Sequence, residues 1–126
     1  MALVLCTGID ATLLATRRMI LEAAGQKVVT VTNETALLAA CEEHSFDVAV
    51  LGQAVSAKVK RHICALIRGH CPDVKVLEIY ESHTGELVED ADDWLMSPLD
   101  FPKDLADRVE ELARRGRKDK RSGTSA

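Results

Sequence analysis

Along most of the chain, short apolar runs bounded by polar turns alternate with stretches whose apolar residues recur every three or four positions. Residues 2–7 form the first run. Asp10 then stands as a helix N-cap, and Leu13, Leu14, Ile20, Leu21 and Ala24 share one helical face before Gly25. Val28 to Val31 predicts a second strand. Asn33 caps the next helix, whose stripe is Leu37, Ala40, Cys41 and His44. The run Phe46-Asp47-Val48-Ala49-Val50-Leu51-Gly52 is valine-rich and ends at a glycine, as expected of a strand covered on both faces of a parallel sheet. Ser56 starts a third helix with the stripe Val59, Ile63, Leu66 and Ile67, ended by Gly69 and Pro72, and Val74, Val76, Leu77 and Ile79 predict a fourth strand. This βαβ rhythm predicts a doubly wound α/β domain, a parallel sheet with helices on both faces and right-handed crossovers.

The rhythm falters between Ile79 and Trp94. Residues 80–93 barely reach the length that a parallel crossover needs with its helix, so the fourth helix is expected to be shortened or absent, with at most one or two turns around Gly85 to Asp90. Trp94-Leu95-Met96 predicts a short fifth strand closed by Ser97-Pro98. A last helix is expected from Asp100 or Phe101, with Pro102 in its first turn, a buried stripe of Leu105, Val109 and Leu112, and an end at Gly116.

An apolar share of 47% beside a charged share of 29% fits one folded domain and excludes a disordered body. No apolar run is long enough to span a bilayer and the first residues lack a signal peptide's basic region, so a cytoplasmic location is expected. There Cys6, Cys41, Cys64 and Cys71 are expected to be reduced. The net charge of −4 is unevenly spread: from Arg114 onward six basic residues face Asp119, a net +5, which leaves −9 on the rest. Residues 1–115 are therefore expected to form the folded domain and 116–126 a mobile basic tail.

Four stretches resemble the receiver domains of response regulators in two-component signalling: Leu-Glu-Ala-Ala-Gly at 21–25, Phe-Asp-Val-Ala-Val-Leu at 46–51, Cys-Pro-Asp-Val-Lys-Val-Leu at 71–77, and Ala-Asp-Asp-Trp-Leu-Met-Ser-Pro-Leu-Asp at 91–100. The resemblance implies a flavodoxin-like five-stranded sheet in the order 2-1-3-4-5. It also implies a site, which must be mapped one position at a time. The phosphoacceptor aspartate of receivers falls on Gly52, and the magnesium-binding acidic pair on Gly8 and Ile9, with Asp10 one step beyond. A shift of two would put that pair on Cys6 and Thr7. The switching hydroxyl falls on Tyr80, and the lysine of the Lys-Pro pair on Ser97, with Pro98 kept. Glycine has no oxygen to phosphorylate, and magnesium needs carboxylate oxygens that Asp10 alone supplies weakly. The resemblance therefore implies a degenerate receiver with no catalytic, cofactor or metal residues, leaving the pocket at Gly52 vacated.

Such a module is expected to act through a protein partner, either a signalling protein or a second copy of itself. The expected surface is the shortened crossover with the last helix, sampled by Tyr80, Leu87, Trp94 and Leu105. Nucleic acid is not expected as a partner except through the basic tail, which has no interleaved aromatics. A competing reading comes from Leu-Val-Leu-Cys-Thr-Gly-Ile-Asp at 3–10, which resembles the phosphocysteine loop of phosphotransferase-system IIB proteins and would make Cys6 a phosphate carrier. His62, Cys64, His70 and Cys71 match no zinc spacing and read as helix positions. Asp92 and Asp93 read as a solvated turn.

Overall fold

Five strands, β1 (Leu3–Thr7), β2 (Lys27–Val31), β3 (Val48–Leu51), β4 (Lys75–Glu81) and β5 (Asp93–Ser97), build one parallel sheet in the order β2-β1-β3-β4-β5. The helices are α1 (Ala11–Ala23), α2 (Glu34–Glu43), α3 (Ala57–His70) and α4 (Lys103–Ser125). This computed structural model describes residues 2–52, 56–97 and 102–125, with side chains as far as residue 115. Pro98, Asp100 and Phe101, and with them the expected start of the last helix, lie outside the described residues.

The first three helices begin where the sequence places their caps. Asp10 accepts from the backbone N–H groups of Thr12 and Leu13, Asn33 from Ala36 and Ser56 from Val59, which satisfies donors that a helix start leaves orphaned. Helix α1 closes before Gly25, whose φ of +89° is the left-handed conformation that suits glycine.

Alternation along the strands divides the core in two. Val4, Cys6, Val48, Val50, Leu77 and Ile79 face α1 and α4, while Leu5, Ala49, Leu51 and Val76 face α2 and α3. All four residues of β3 are buried, because the strand has helices on both sides. At roughly 1.5–3 kcal/mol for each fully buried aliphatic side chain, these two layers supply the main stabilising force.

Several expectations need correction. In α1 the buried residues are Leu14, Arg17 and Leu21, while Ala24 is exposed. In α3 they are Lys60, Cys64 and Ile67, and the helix runs through Gly69 to His70. Each helix is rotated from its most apolar stripe so that one charged side chain turns inward. The crossover between β4 and β5, by contrast, has no helix, as its length led one to expect. Helix α4 continues as helical backbone past Gly116 to Ser125.

The cysteines are not all reduced. Cys41 near the end of α2 and Cys71 at the C-cap of α3 are joined by a disulfide, their Cα atoms 5.3 Å apart where the two helices converge. Asp92 and Asp93 do not form a solvated turn either. Asp92 accepts from the Val76 backbone at 2.7 Å and from Arg68 at 3.1 Å, and Asp93 pairs with Arg108 at 3.1 Å.

Candidate functional site at the β1–β3 crevice

The chain leaves β1 for α1 on one face of the sheet and β3 for α3 on the other, so the carboxyl ends of these neighbouring strands flank the crevice where open α/β sheets place their sites. Thr7 pairs in register with Leu51, and the next residue, Gly52, donates its N–H to the Thr7 carbonyl at 2.9 Å. A Cβ at Gly52 would stand 2.4 Å from Arg17 Nη1 and 2.6 Å from the Thr7 carbonyl oxygen. The pocket expected to be vacated is therefore filled, because the Arg17 guanidinium lies where a side chain at position 52 would begin.

Arg17 reaches this place because it follows Leu14 by three residues and precedes Leu21 by four, which puts it on the inward face of α1. Its side chain is 93% buried, at a relative exposure of 7%. Burial pulls the guanidinium below its ordinary pKa, with the charges of Cys6 and Asp10 opposing the shift. Cys6 lies fully buried beside it. Burial pushes this thiol up to about 12, with Arg17 acting in the opposite direction, so at neutral pH it is a protonated core side chain and a poor nucleophile.

Of the positions singled out in the sequence, Gly8, Ile9, Asp10 and Gly52 lie along the β1 and β3 ends. Ile9 is 58% exposed and Asp10 is committed to capping α1. Tyr80 and Ser97 lie further along the same edge of the sheet, where Tyr80 pairs with Met96 and Ser97 with Glu81. Sequence reasoning missed Arg17. The available signal was its spacing from Leu14 and Leu21, which an apolar-only stripe disregards.

A second cluster organises the helix-free crossover. Glu78, fully buried on the α3 face of β4, accepts from the backbone N–H groups of Leu87 and Val88 at 2.9–3.1 Å. Lys60 of α3 pairs with Glu78 at 2.9 Å and donates to the Ile79 carbonyl at 2.8 Å. Arg61 donates to the Leu87 carbonyl and Trp94 Nε1 to that of Val88. Backbone groups that a helix would have paired internally are thus paired by side chains of α3, β4 and β5. Leu105, included in the expected surface, is fully buried and belongs to the core. Tyr80, Leu87 and Trp94 are half-buried, and Met96 beside them is 49% exposed.

A cavity of about 170 Å³ lies beyond the ends of β1 and β2, under α2 and α3. Its walls include Ile9, Val31, Leu37, Val59, Ile63 and Leu66, with the Glu34–His62 pair on its rim. The histidines and cysteines of α3 form no zinc cluster among the described residues: Cys71 is in the disulfide, Cys64 is buried and His62 faces Glu34.

No family model matches the chain, and no curated protein matches it. Solved structures do. NtrX from Brucella abortus in complex with ATP superposes with a TM-score of 0.83 at 16% identity over 99% of this chain, which spans only 29% of that protein. A response regulator receiver modulated diguanylate cyclase from Pelobacter carbinolicus gives 0.76 at 18% identity, covering 95% of this chain and 98% of the other. The signal receiver domain of a LuxO repressor protein from Vibrio parahaemolyticus gives 0.78 at 14% identity, covering 94% and 95%. The fold is that of a response-regulator receiver domain, with the sheet order expected from the sequence.

Proposed function

We propose that this chain is a degenerate receiver module of two-component signalling, which acts by contact with a protein partner and is not phosphorylated at the usual position. The observation that carries this reading is the Arg17 guanidinium packed against Gly52. A receiver's chemistry needs a carboxylate nucleophile and a divalent cation in this crevice. Here glycine has replaced the nucleophile and a fixed cation stands in the same space, where it would repel magnesium. A cytoplasmic location and the absence of catalytic activity belong to the same proposal. Among the described residues, no helix is long and apolar enough to cross a membrane.

The partner-facing surface in this reading is the β5 edge with the crossover, where Met96 is exposed and Trp94 and Leu87 are partly so. The partner is a signalling protein or a second copy of the chain. The test is incubation with a small-molecule phosphodonor and magnesium, followed by intact-mass measurement. An unmodified mass is the expected result, and an aspartyl adduct overturns the reading. An adduct abolished by Cys6→Ser would instead favour the phosphocysteine alternative, which the burial of Cys6 disfavours.

A further inference from the structure

Neither Gly52 nor any residue of the β5 edge lines the cavity between α2 and α3. Leu37 of α2 and Val59, Ile63 and Leu66 of α3 supply its apolar walls, all from the first turns of the two helices. Neighbouring helices ordinarily settle together and leave few voids larger than a water molecule. Here their separation is tied at both ends. The Cys41–Cys71 disulfide joins α2 to the C-cap of α3, and Glu34 and His62 bridge the opposite end at 3.6 Å. The mouth is apolar as well. Of the four large hydrophobic side chains that are exposed among the described residues, Ile9 at 58% and Val59 at 39% both line this cavity. Two of its polar side chains are turned toward the protein itself, Thr7 donating to the Val50 carbonyl and Asn33 accepting from the Ala36 N–H. The walls therefore offer water few of the roughly two to four polar partners that an ordered molecule needs.

We propose that this cavity is a binding site for a free small molecule, a neutral compound built on a single aromatic ring. Size sets the ring: an apolar cavity of about 150 Å³ takes up benzene, and this one measures about 170 Å³, too little for a helix or strand of a partner protein. Charge sets the neutrality. The Glu34 carboxylate on the rim repels an anion, and the apolar walls give a charged group nothing to replace its hydration. A bound ring would cover the Ile9 and Val59 side chains that now face water, which is the source of its affinity. Binding is non-covalent and uses neither position 52 nor magnesium, so the inference does not depend on the signalling reading.

The test is titration of the full chain with benzene and, in parallel, with benzoate, which carries the same ring with a negative charge. Binding is followed by the methyl resonances of the chain. Saturable binding of one benzene per chain is expected, with the largest shifts at the methyl groups of Ile9, Val59, Ile63 and Leu66, and no saturation by benzoate. Val59→Trp, a change at the mouth that puts an indole ring into the cavity, is expected to weaken benzene binding at least about tenfold. The proposal is overturned if benzene does not saturate, if its shifts fall on other methyl groups, if benzoate binds as well, or if folded Val59→Trp binds as tightly as the parent. It is also overturned if the same methyl groups shift with protein concentration alone, because a side chain of a second copy then fills the cavity. Should Val59→Trp fail to fold, the methyl shifts of the unmodified chain decide.

Discussion

The two faces of the sheet treat a buried cation in opposite ways. On the α2/α3 face, Lys60 meets Glu78 at 2.9 Å and a backbone carbonyl at 2.8 Å, and Glu78 in turn receives backbone N–H groups from the crossover. On the α1/α4 face, Arg17 is comparably buried yet finds no hydrogen-bond partner among the described residues. Both side chains interrupt an apolar stripe at helical spacing, so the sequence pattern alone does not separate them. Their surroundings do. A charge held by a carboxylate and a carbonyl is part of the scaffold, whereas a charge without such partners adds little to it.

The largest effect is expected where the scaffold charge loses its partner. Glu78→Ala removes the Lys60 counterion and the acceptor for Leu87 and Val88 together, and breaking a buried pair of this kind costs about 3–5 kcal/mol. Lys60→Met, which leaves Glu78 uncompensated, belongs in the same range. Denaturant unfolding measures both. Near-parental stability for Lys60→Met would mean that the crossover holds without the pair.

The same face carries the disulfide, which clips α2 to the end of α3. For its sequence separation of 30, the chain-entropy account gives a loss of about 3.6 kcal/mol on reduction or in Cys41→Ala/Cys71→Ala. Unfolding with and without reductant checks this. An unchanged midpoint would show that the closed character of this face rests on side-chain packing alone.

On the other face the expected penalties are steric. Gly52→Ala forces a methyl group against Arg17 Nη1 and the Thr7 carbonyl, and overpacking of this kind costs about 1–3 kcal/mol. A flexible guanidinium can swing away, but the strand-end carbonyl moves only with β1. Gly52→Asp is expected to be destabilised in the same way and to leave the mass unchanged after phosphodonor treatment. A phosphorylated Gly52→Asp chain would mean that the crevice still holds receiver chemistry.

Cys6 gives this face a pH signature. Its folded pKa is raised from 9.0 to about 12 by burial, so the unfolded chain loses its thiol proton first as the pH rises. The resulting stabilisation is complete below pH 9 and is lost between pH 9 and about 12. Cys6→Ala is expected to show a shallower alkaline decline than the parent in unfolding measured across that window. Equal slopes would place the thiol in contact with solvent.

The sheet, its order and the helix caps were legible in the sequence because strand runs, cap residues and crossover lengths are local signals. Asp10, Asn33 and Ser56 each cap the helix they introduce. What escaped depends on non-local pairing. Nothing near Lys60 in the chain announces Glu78, 18 positions away, and nothing near Cys41 announces Cys71. That position 52 is a glycine was readable, but what stands beside it is decided by the rotation of α1 that brings Arg17 into that space. Asp92 and Asp93 misled for the same reason: their partners Arg68 and Arg108 come from α3 and α4.

The smallest expected change in stability is also the one that separates the two cations most sharply. Arg17→Met is expected to alter stability by less than about 1 kcal/mol or to raise it, because the methionine keeps the packing of the stem while an unpaired buried charge is removed. The same change at position 60 strips a carboxylate of its partner and costs several times more. Replacing Lys60 and Arg17 by the same residue therefore compares a cation paired with a carboxylate and one without such a pair, at similar burial, in one sheet. Thermal unfolding of the two variants at neutral pH reads the difference directly. If Arg17→Met loses as much stability as Lys60→Met, Arg17 is a scaffold charge like the other.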